Sequence, residues 1–174
     1  MITYVALLRG IGPTNPNMHP AKLKSAFEKM GFKNVKTVIV SGNVVFDSQE
    51  KEESELEAKI EKALPKLLGF SSNTIVRRKE DIERIIAANP FGERASDAQL
   101  YPLISFLRAP LDSFPLPKRG VGYTIPAVYK LEFCTLIERK AVKTPDVMRF
   151  FDKHFKKEIT SRTWNTLNKI YAKM

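Results

Sequence analysis

Three short polar segments carry the residues of this chain whose types and spacing could do chemistry. In the first two, Arg9 and Gly10 follow the apolar run at residues 4–8, and Ser41 and Asn43 lie between two further apolar runs. Guanidinium, hydroxyl and amide groups are hydrogen-bond donors, and a glycine lets a ligand approach the backbone closely. These residue types predict a site that faces an anion.

The third segment is residues 160–166, which we predict to begin the last helix, capped by Thr160 or Ser161. Arg162, Asn165, Thr166 and Lys169 recur at i, i+3, i+4 and i+7, so they would share one face of that helix. Backbone N–H groups at a helix N-terminus favour an anion, and the planar guanidinium suits phosphate or carboxylate. The candidate ligand-binding residues of the three segments are Arg9, Gly10, Ser41, Asn43, Arg162, Asn165 and Lys169.

Each segment also has a structural interpretation, which the sequence leaves open. Ser, Gly and Asn are ordinary turn residues. Arg9 and Arg162 can form ion pairs with carboxylates of the protein itself. Under this interpretation the segments hold the fold together and bind nothing.

Other chemistry has little support in the sequence. The pair Gly10 and Gly12 lacks the third glycine of a dinucleotide-binding fingerprint, and there is neither a Walker sequence nor a Cys/His spacing for zinc. The single cysteine, Cys134, lies in an apolar run, which predicts a small buried side chain and no nucleophile. We expect no metal and no cofactor; the catalytic residues, and whether the protein is an enzyme, stay open.

The net charge of +10 is unevenly distributed along the chain. Residues 118–174 carry 13 Lys/Arg and 5 Asp/Glu, whereas residues 1–117 carry 16 and 14. A basic region favours nucleic acid or phosphate-bearing ligands, although it also fits a solvated face. One cysteine, no signal peptide and no apolar stretch near the ~20 residues that span a bilayer predict a cytoplasmic protein without a membrane partner. The oligomeric state is not predicted.

Apolar periodicity predicts the order β-α-β-β-α-β over residues 1–78, which is the ferredoxin-like pattern. The predicted strands are residues 2–8, 35–40, 44–46 and 74–76. The acidic residues of the second helix, residues 50–69, are predicted to form its exposed face. The fold class is therefore α+β, with a ferredoxin-like subdomain at 1–78 and a smaller α+β subdomain at 79–174 packed against it.

One helix of the second half is predicted from its start signal, Thr144-Pro145-Asp146. Phe151, His154 and Phe155 are predicted to lie on its inner face. The basic residues predicted on its outer face are Arg149, Lys153, Lys156 and Lys157.

Several segments together resemble a known family. They are Leu8-Arg9-Gly10-Ile11, Ser41-Gly42-Asn43-Val44-Val45-Phe46, Asn89-Pro90-Phe91 and Arg162-Thr163-Trp164-Asn165-Thr166. In these motifs the chain is similar to the domain of unknown function 1697 family. The resemblance implies an α+β fold with a ferredoxin-like half in a cytosolic, mostly bacterial protein, and it implies no established activity.

Three hypotheses of function follow. The first is a protein that binds a phosphate-bearing ligand or nucleic acid through a basic site rich in donors. The second is a small enzyme acting on an anionic metabolite, with Arg9 and Arg162 as electrostatic clamps. The third is a structural or oligomerising module in which the same motifs hold the protein together.

Overall fold

The chain forms an α+β fold, as the sequence predicts. The computed structural model describes residues 1–10, 12, 14–39, 42–111, 116 and 119–174. These residues form two compact units, one of Met1–Arg84 with Asn168–Met174 and the other of Ile85–Leu167. The subdomain boundary between residues 78 and 79 stays a prediction.

The first unit is built on a four-stranded antiparallel sheet with the strand order β2-β3-β1-β4. Its elements are β1 (Ile2–Leu8), α1 (Pro20–Lys29), β2 (Lys33–Thr37), β3 (Asn43–Ser48), α2 (Glu53–Leu68) and β4 (Thr74–Arg78). A short 3-10 helix, Pro16–Met18, precedes α1, and α3 (Lys79–Ala88) follows β4. This is the order β-α-β-β-α-β that the apolar periodicity predicts.

Strand β1 is apolar from Tyr4 to Leu8 because both of its faces are buried there. Tyr4 and Ala6 belong to a core cluster that includes Phe27 of α1 and Ile60 of α2. Val5, on the opposite face of the strand, is also completely buried. A strand buried on both faces reads as a continuous apolar run, without alternation. The position of Arg9 is therefore fixed: it comes directly after this central strand.

Three glutamates of α2 face the sheet and not the solvent. The Oε1 atoms of Glu53, Glu57 and Glu61 accept hydrogen bonds of 3.1, 2.9 and 2.8 Å from the backbone N–H groups of β4 at positions 78, 76 and 74. These N–H groups alternate along β4, which lies at one end of the sheet. The glutamates thus satisfy donors that a neighbouring strand would otherwise pair. The prediction of an exposed acidic face is wrong for these three residues.

The glutamates that bond to β4 lie in a largely buried environment. Glu57 is 6% exposed. Burial raises the pKa of Glu53, and the guanidinium of Arg77, 3.8 Å away and itself buried, partly offsets that rise. These carboxylates are part of the fold and are not available to an external ligand.

The second unit is built on a five-stranded antiparallel sheet with the strand order β6-β7-β8-β5-β9. Its strands are β5 (Leu100–Leu107), β6 (Arg119–Gly120), β7 (Tyr123–Val128), β8 (Glu132–Glu138) and β9 (Ile159–Thr163). A 3-10 helix, Gly92–Ser96, precedes β5, α4 (Thr144–His154) lies between β8 and β9, and α5 (Trp164–Tyr171) follows β9. Val147 and Phe151 of α4 join a core cluster with Leu103 and Phe133 of the sheet.

Candidate functional site

The first two polar motifs meet at the end of β1, within the first unit. The backbone N–H of Leu8 donates to the carbonyl of Gly42 at 2.8 Å. The backbone N–H of Arg9 donates to the Asn73 carbonyl at 3.0 Å and to Ser72 Oγ at 2.8 Å. Three segments of the chain, at 8–10, 42–43 and 72–73, therefore form one corner of the sheet.

Gly42 and Asn43 stabilise the backbone of this corner. The φ angle of Gly42 is +69°, and a Cβ atom there would lie 2.9 Å from Leu8 Cβ, so the close approach requires glycine. Asn43 is 1% exposed, and its Nδ2 donates to the carbonyl of Val38 at 3.0 Å. The Val38 N–H in turn donates to the Asn43 carbonyl at 2.9 Å. These two hydrogen bonds tie Asn43, at the start of β3, to Val38, directly after the end of β2.

Arg9 and Gly10 are the part of this corner that reaches solvent. Arg9 is half-buried and Gly10 is exposed. Gly10 has a φ angle of +76°, and a Cβ atom there would meet open space. Ser41, the remaining predicted contact, lies outside the described residues. A ligand contact at Arg9 and Gly10 stays a prediction.

Arg162 is a strand residue and not part of a helix. It lies in β9 opposite Ile104 of β5, and its Nη1 donates to Thr160 Oγ1 and to the Ser161 carbonyl, both at 2.8 Å. Burial lowers the pKa of Arg162 to about 10. The predicted helix start is wrong because residues 159–163 pair with β5 instead.

Helix α5 begins two residues later than Arg162, at Trp164. Its cap is Thr163, whose Oγ1 accepts a hydrogen bond of 3.1 Å from the backbone N–H of Thr166. Asn165 and Lys169 are exposed and lie four residues apart on α5, so they share a face of it. Asn165 belongs to the second unit and Lys169 to the first. Of the four residues of the predicted stripe, Arg162 is not on the helix, whereas Asn165, Thr166 and Lys169 are.

The exposed basic side chains of α4 and its flanks form a surface within the second unit, which we call the α4 surface. Its members are Lys143, Arg149, Lys153, Lys156 and Lys157, all of them exposed. Between residues 143 and 157 there are five basic and two acidic residues. One acid, Asp146, forms an ion pair with Arg149. The four lysines supply the rest of the positive charge on this surface.

The C-terminal end of α4 has an unusual backbone. Lys156 and Lys157 have φ angles of +50° and +66°, the left-handed conformation that favours glycine. The Lys157 N–H donates to the Asp152 carbonyl at 2.8 Å, which closes the helix. By contrast, the residue that caps the C-terminal end of α2 is Gly69, whose φ angle is +72°. Two lysines occupy a turn where glycine is the ordinary residue.

The α4 surface also carries an exposed aromatic side chain that sequence reasoning missed. Phe150 is 46% exposed, and its ring stacks on that of His154, with 6.1 Å between centroids and 24° between planes. Phe151, its neighbour in the chain, is buried in the core. The signal was present as two consecutive phenylalanines, of which a helix can bury only one.

A cysteine nucleophile and a metal centre have no support among the described residues. Cys134 is buried, and burial raises the pKa of its thiol to about 12, so the thiolate is scarce at neutral pH. The described part of the chain holds no group of three or more His, Cys, Asp or Glu side chains placed to bind a metal ion. None of the helices in this part is long and apolar enough to cross a bilayer.

Comparison with known proteins gives a family and a fold. Among proteins with curated descriptions, none matches the chain. A solved structure, that of a conserved bacterial protein from Streptococcus pneumoniae, is similar with a TM-score of 0.70 at 19% sequence identity, over 99% of this chain and 98% of that chain. At that identity the likeness concerns the fold alone. The family profile described as protein of unknown function (DUF1697) matches residues 1–117. Because this match covers most of the chain, the protein belongs to the DUF1697 family.

Proposed function

We propose that this protein binds nucleic acid through the α4 surface of its second unit. The observation that carries the proposal is the pair of lysines, Lys156 and Lys157, held in left-handed backbone conformations. Each such residue costs about 1–2 kcal/mol relative to glycine. Backbone strain that persists at exposed charged residues is a reason to look for function there.

The charge of the α4 surface is compatible with the proposal but does not single this surface out. Counted by compact unit, the first carries 16 basic and 11 acidic residues and the second 13 and 8, so each has a net charge of +5. Net charge alone therefore does not favour either unit. In the second unit, Lys143, Lys153, Lys156 and Lys157 are exposed on α4 and its flanks. Residues 22–36 of the first unit carry five exposed lysines and one acid, so the left-handed lysines, and not charge density, distinguish the α4 surface. Gathered lysines attract a polyanion by releasing its condensed counterions.

The residues that we predicted as ligand contacts fall into two groups, those with a structural role and those that stay predicted contacts. Asn43 is buried and donates to the Val38 carbonyl, which favours its structural interpretation. Arg162 donates to groups of its own strand, which favours the same interpretation. Arg9, Gly10, Asn165 and Lys169 stay predicted contacts for a phosphate-bearing ligand. The enzyme hypothesis has no observation in its favour.

A salt titration of binding tests the proposal. The fluorescence anisotropy of a labelled oligonucleotide of mixed sequence would be followed at salt concentrations from about 50 to about 200 mM. With four lysines engaged, the logarithm of the association constant should fall with the logarithm of salt with a slope of about −3 for a single strand. The triple variant Lys153→Gln, Lys156→Gln and Lys157→Gln should reduce that slope by about 2.

The matched control removes the same charge from the first unit. Lys29, Lys62 and Lys66 are exposed on α1 and α2, and their triple replacement by Gln should leave the slope nearly unchanged. Equal losses in both triple variants would mean that overall charge, and not the α4 surface, governs binding. Absence of salt-dependent binding in the wild-type protein would overturn the proposed function itself.

A further inference from the structure

We infer that the α4 surface takes single-stranded nucleic acid, with a base stacked on the ring of Phe150. This inference rests on the proposed function and adds the class of nucleic acid to it. It depends on a different observation, the exposed aromatic ring, and not on the lysines. Bases offer their faces for stacking when they are not already stacked in a duplex.

The ring of Phe150 is held in place by its neighbours on α4. Its centroid lies 5.5 Å from that of Phe151, which is buried in the core, and 6.1 Å from that of His154. His154 in turn meets the ring of Phe155 edge-on at 4.9 Å. The neighbouring rings make this part of the α4 surface aromatic, and one face of the cluster is open to solvent.

Positive charge lies next to this ring on the helix. Lys153 is three residues after Phe150, and residues at that spacing are neighbours on a helix surface. Lys157 follows at the end of the helix, where the left-handed turn presents it to solvent. A flat aromatic ring beside lysines is the combination that single-strand-binding surfaces use for the bases and the backbone phosphates.

The apolar face of α4 argues against a membrane surface as the partner. An amphipathic helix that lies on a bilayer needs its whole apolar face free to enter the lipid. In α4 that face is occupied, since Val147 and Phe151 are packed against β5 and β8 in the core cluster of the unit. Phe150 is the one large apolar side chain of α4 with high exposure among the residues that the structure describes. One ring fits a base better than it fits a bilayer.

The experiment compares single and double strands on the full-length protein. The probes are a labelled thymidine oligonucleotide of about 12 residues and a hairpin duplex of similar length. Phe150→Ala should weaken binding of the thymidine strand about tenfold and leave duplex binding unchanged. Phe150→Trp, which keeps an aromatic face, should retain binding. Val128→Ala, at a residue 47% exposed in the same unit, is the control and should change neither.

The outcomes separate this inference from the proposed function. Equal binding of both probes, with Phe150→Ala unchanged, would overturn the inference and leave nucleic-acid binding intact. Failure of the wild-type protein to bind either probe at low salt would overturn both. Binding to vesicles of anionic phospholipid that is lost in Phe150→Ala, without binding of the thymidine strand, would overturn the inference in favour of a membrane surface. Thermal melting of each variant checks that the fold is kept.

Discussion

Helices α2 and α4 both carry dense charge, and the two use it in opposite ways. On α2, the carboxylates of Glu53, Glu57 and Glu61 are turned inward and accept hydrogen bonds from β4. On α4 and its flanks, the lysines point to solvent and make the exposed α4 surface. Both helices look like solvated charged faces in the sequence. The difference shows that the direction of a charged side chain, and not its presence, decides whether it serves the fold or is left exposed to solvent.

The largest expected effect comes from removing the most buried carboxylate of α2. Glu57→Ala leaves the backbone N–H of Val76 buried without its acceptor, which should lower the free energy of unfolding by about 2 kcal/mol. Urea denaturation monitored by far-ultraviolet circular dichroism, which reports on both units, measures this change. The control is Glu55→Ala, an exposed glutamate of the same helix that should change stability by less than about 0.5 kcal/mol. Equal losses of stability in the two variants would contradict the claim that the inward glutamates stabilise the fold and the exposed ones do not.

The ends of the two helices give a pair of mirrored substitutions of intermediate size. Gly69→Ala should lower the free energy of unfolding by about 1 kcal/mol, because Gly69 has a φ angle of +72°. Lys157→Gly should raise it by about 1 kcal/mol, because Lys157 is strained at +66°. Thermal melting measures both changes. Loss of stability in Lys157→Gly would show that its backbone conformation is not a cost.

The Lys157→Gly variant also tests whether the strained turn at the end of α4 contributes to binding. If the strain is kept for the sake of the lysine, this protein should be more stable than the wild type and bind the thymidine oligonucleotide less tightly. A more stable protein with unchanged binding would separate the strained turn from the α4 surface.

The smallest expected effect on stability comes from the middle of α4. Lys153→Glu exchanges one exposed charge for another and should change the free energy of unfolding by less than about 0.5 kcal/mol. The same substitution should reduce the salt dependence of oligonucleotide binding, since it removes one phosphate partner and adds a repulsive charge. A large loss of stability would place Lys153 among the residues that hold the fold.

The order of the elements was within reach of the sequence, because buried runs such as that of β1 and apolar stripes such as that of α2 are local signals. The order of the elements also explains why the motifs around Arg9 and Gly42 lie close together. The position of Arg162 in a strand could not be predicted in this way. Residues 159–163 are mostly polar and precede a helix, and their pairing with β5, far away in sequence, makes them a strand.

Three further features, one of the fold and two of the α4 surface, could not be predicted for a different reason. The inward direction of Glu57 depends on where β4 lies beside α2, which no local pattern specifies. The left-handed conformations of Lys156 and Lys157 contradict the preferences of lysine, so propensity predicts against them. Phe150 and Phe151 form an apolar pair, and which of the two is buried depends on the phase of α4 against its sheet.

The most direct test of the account is amide hydrogen exchange of the whole protein by NMR, without and with the thymidine oligonucleotide. In the free protein the amides of Thr74, Val76 and Arg78 should exchange slowly, because glutamates of α2 hold them. Added oligonucleotide should slow exchange within residues 143–157 and leave α2 and β4 unchanged. Protection on α2, or at Arg9 and Gly10 without any on α4, would contradict the account.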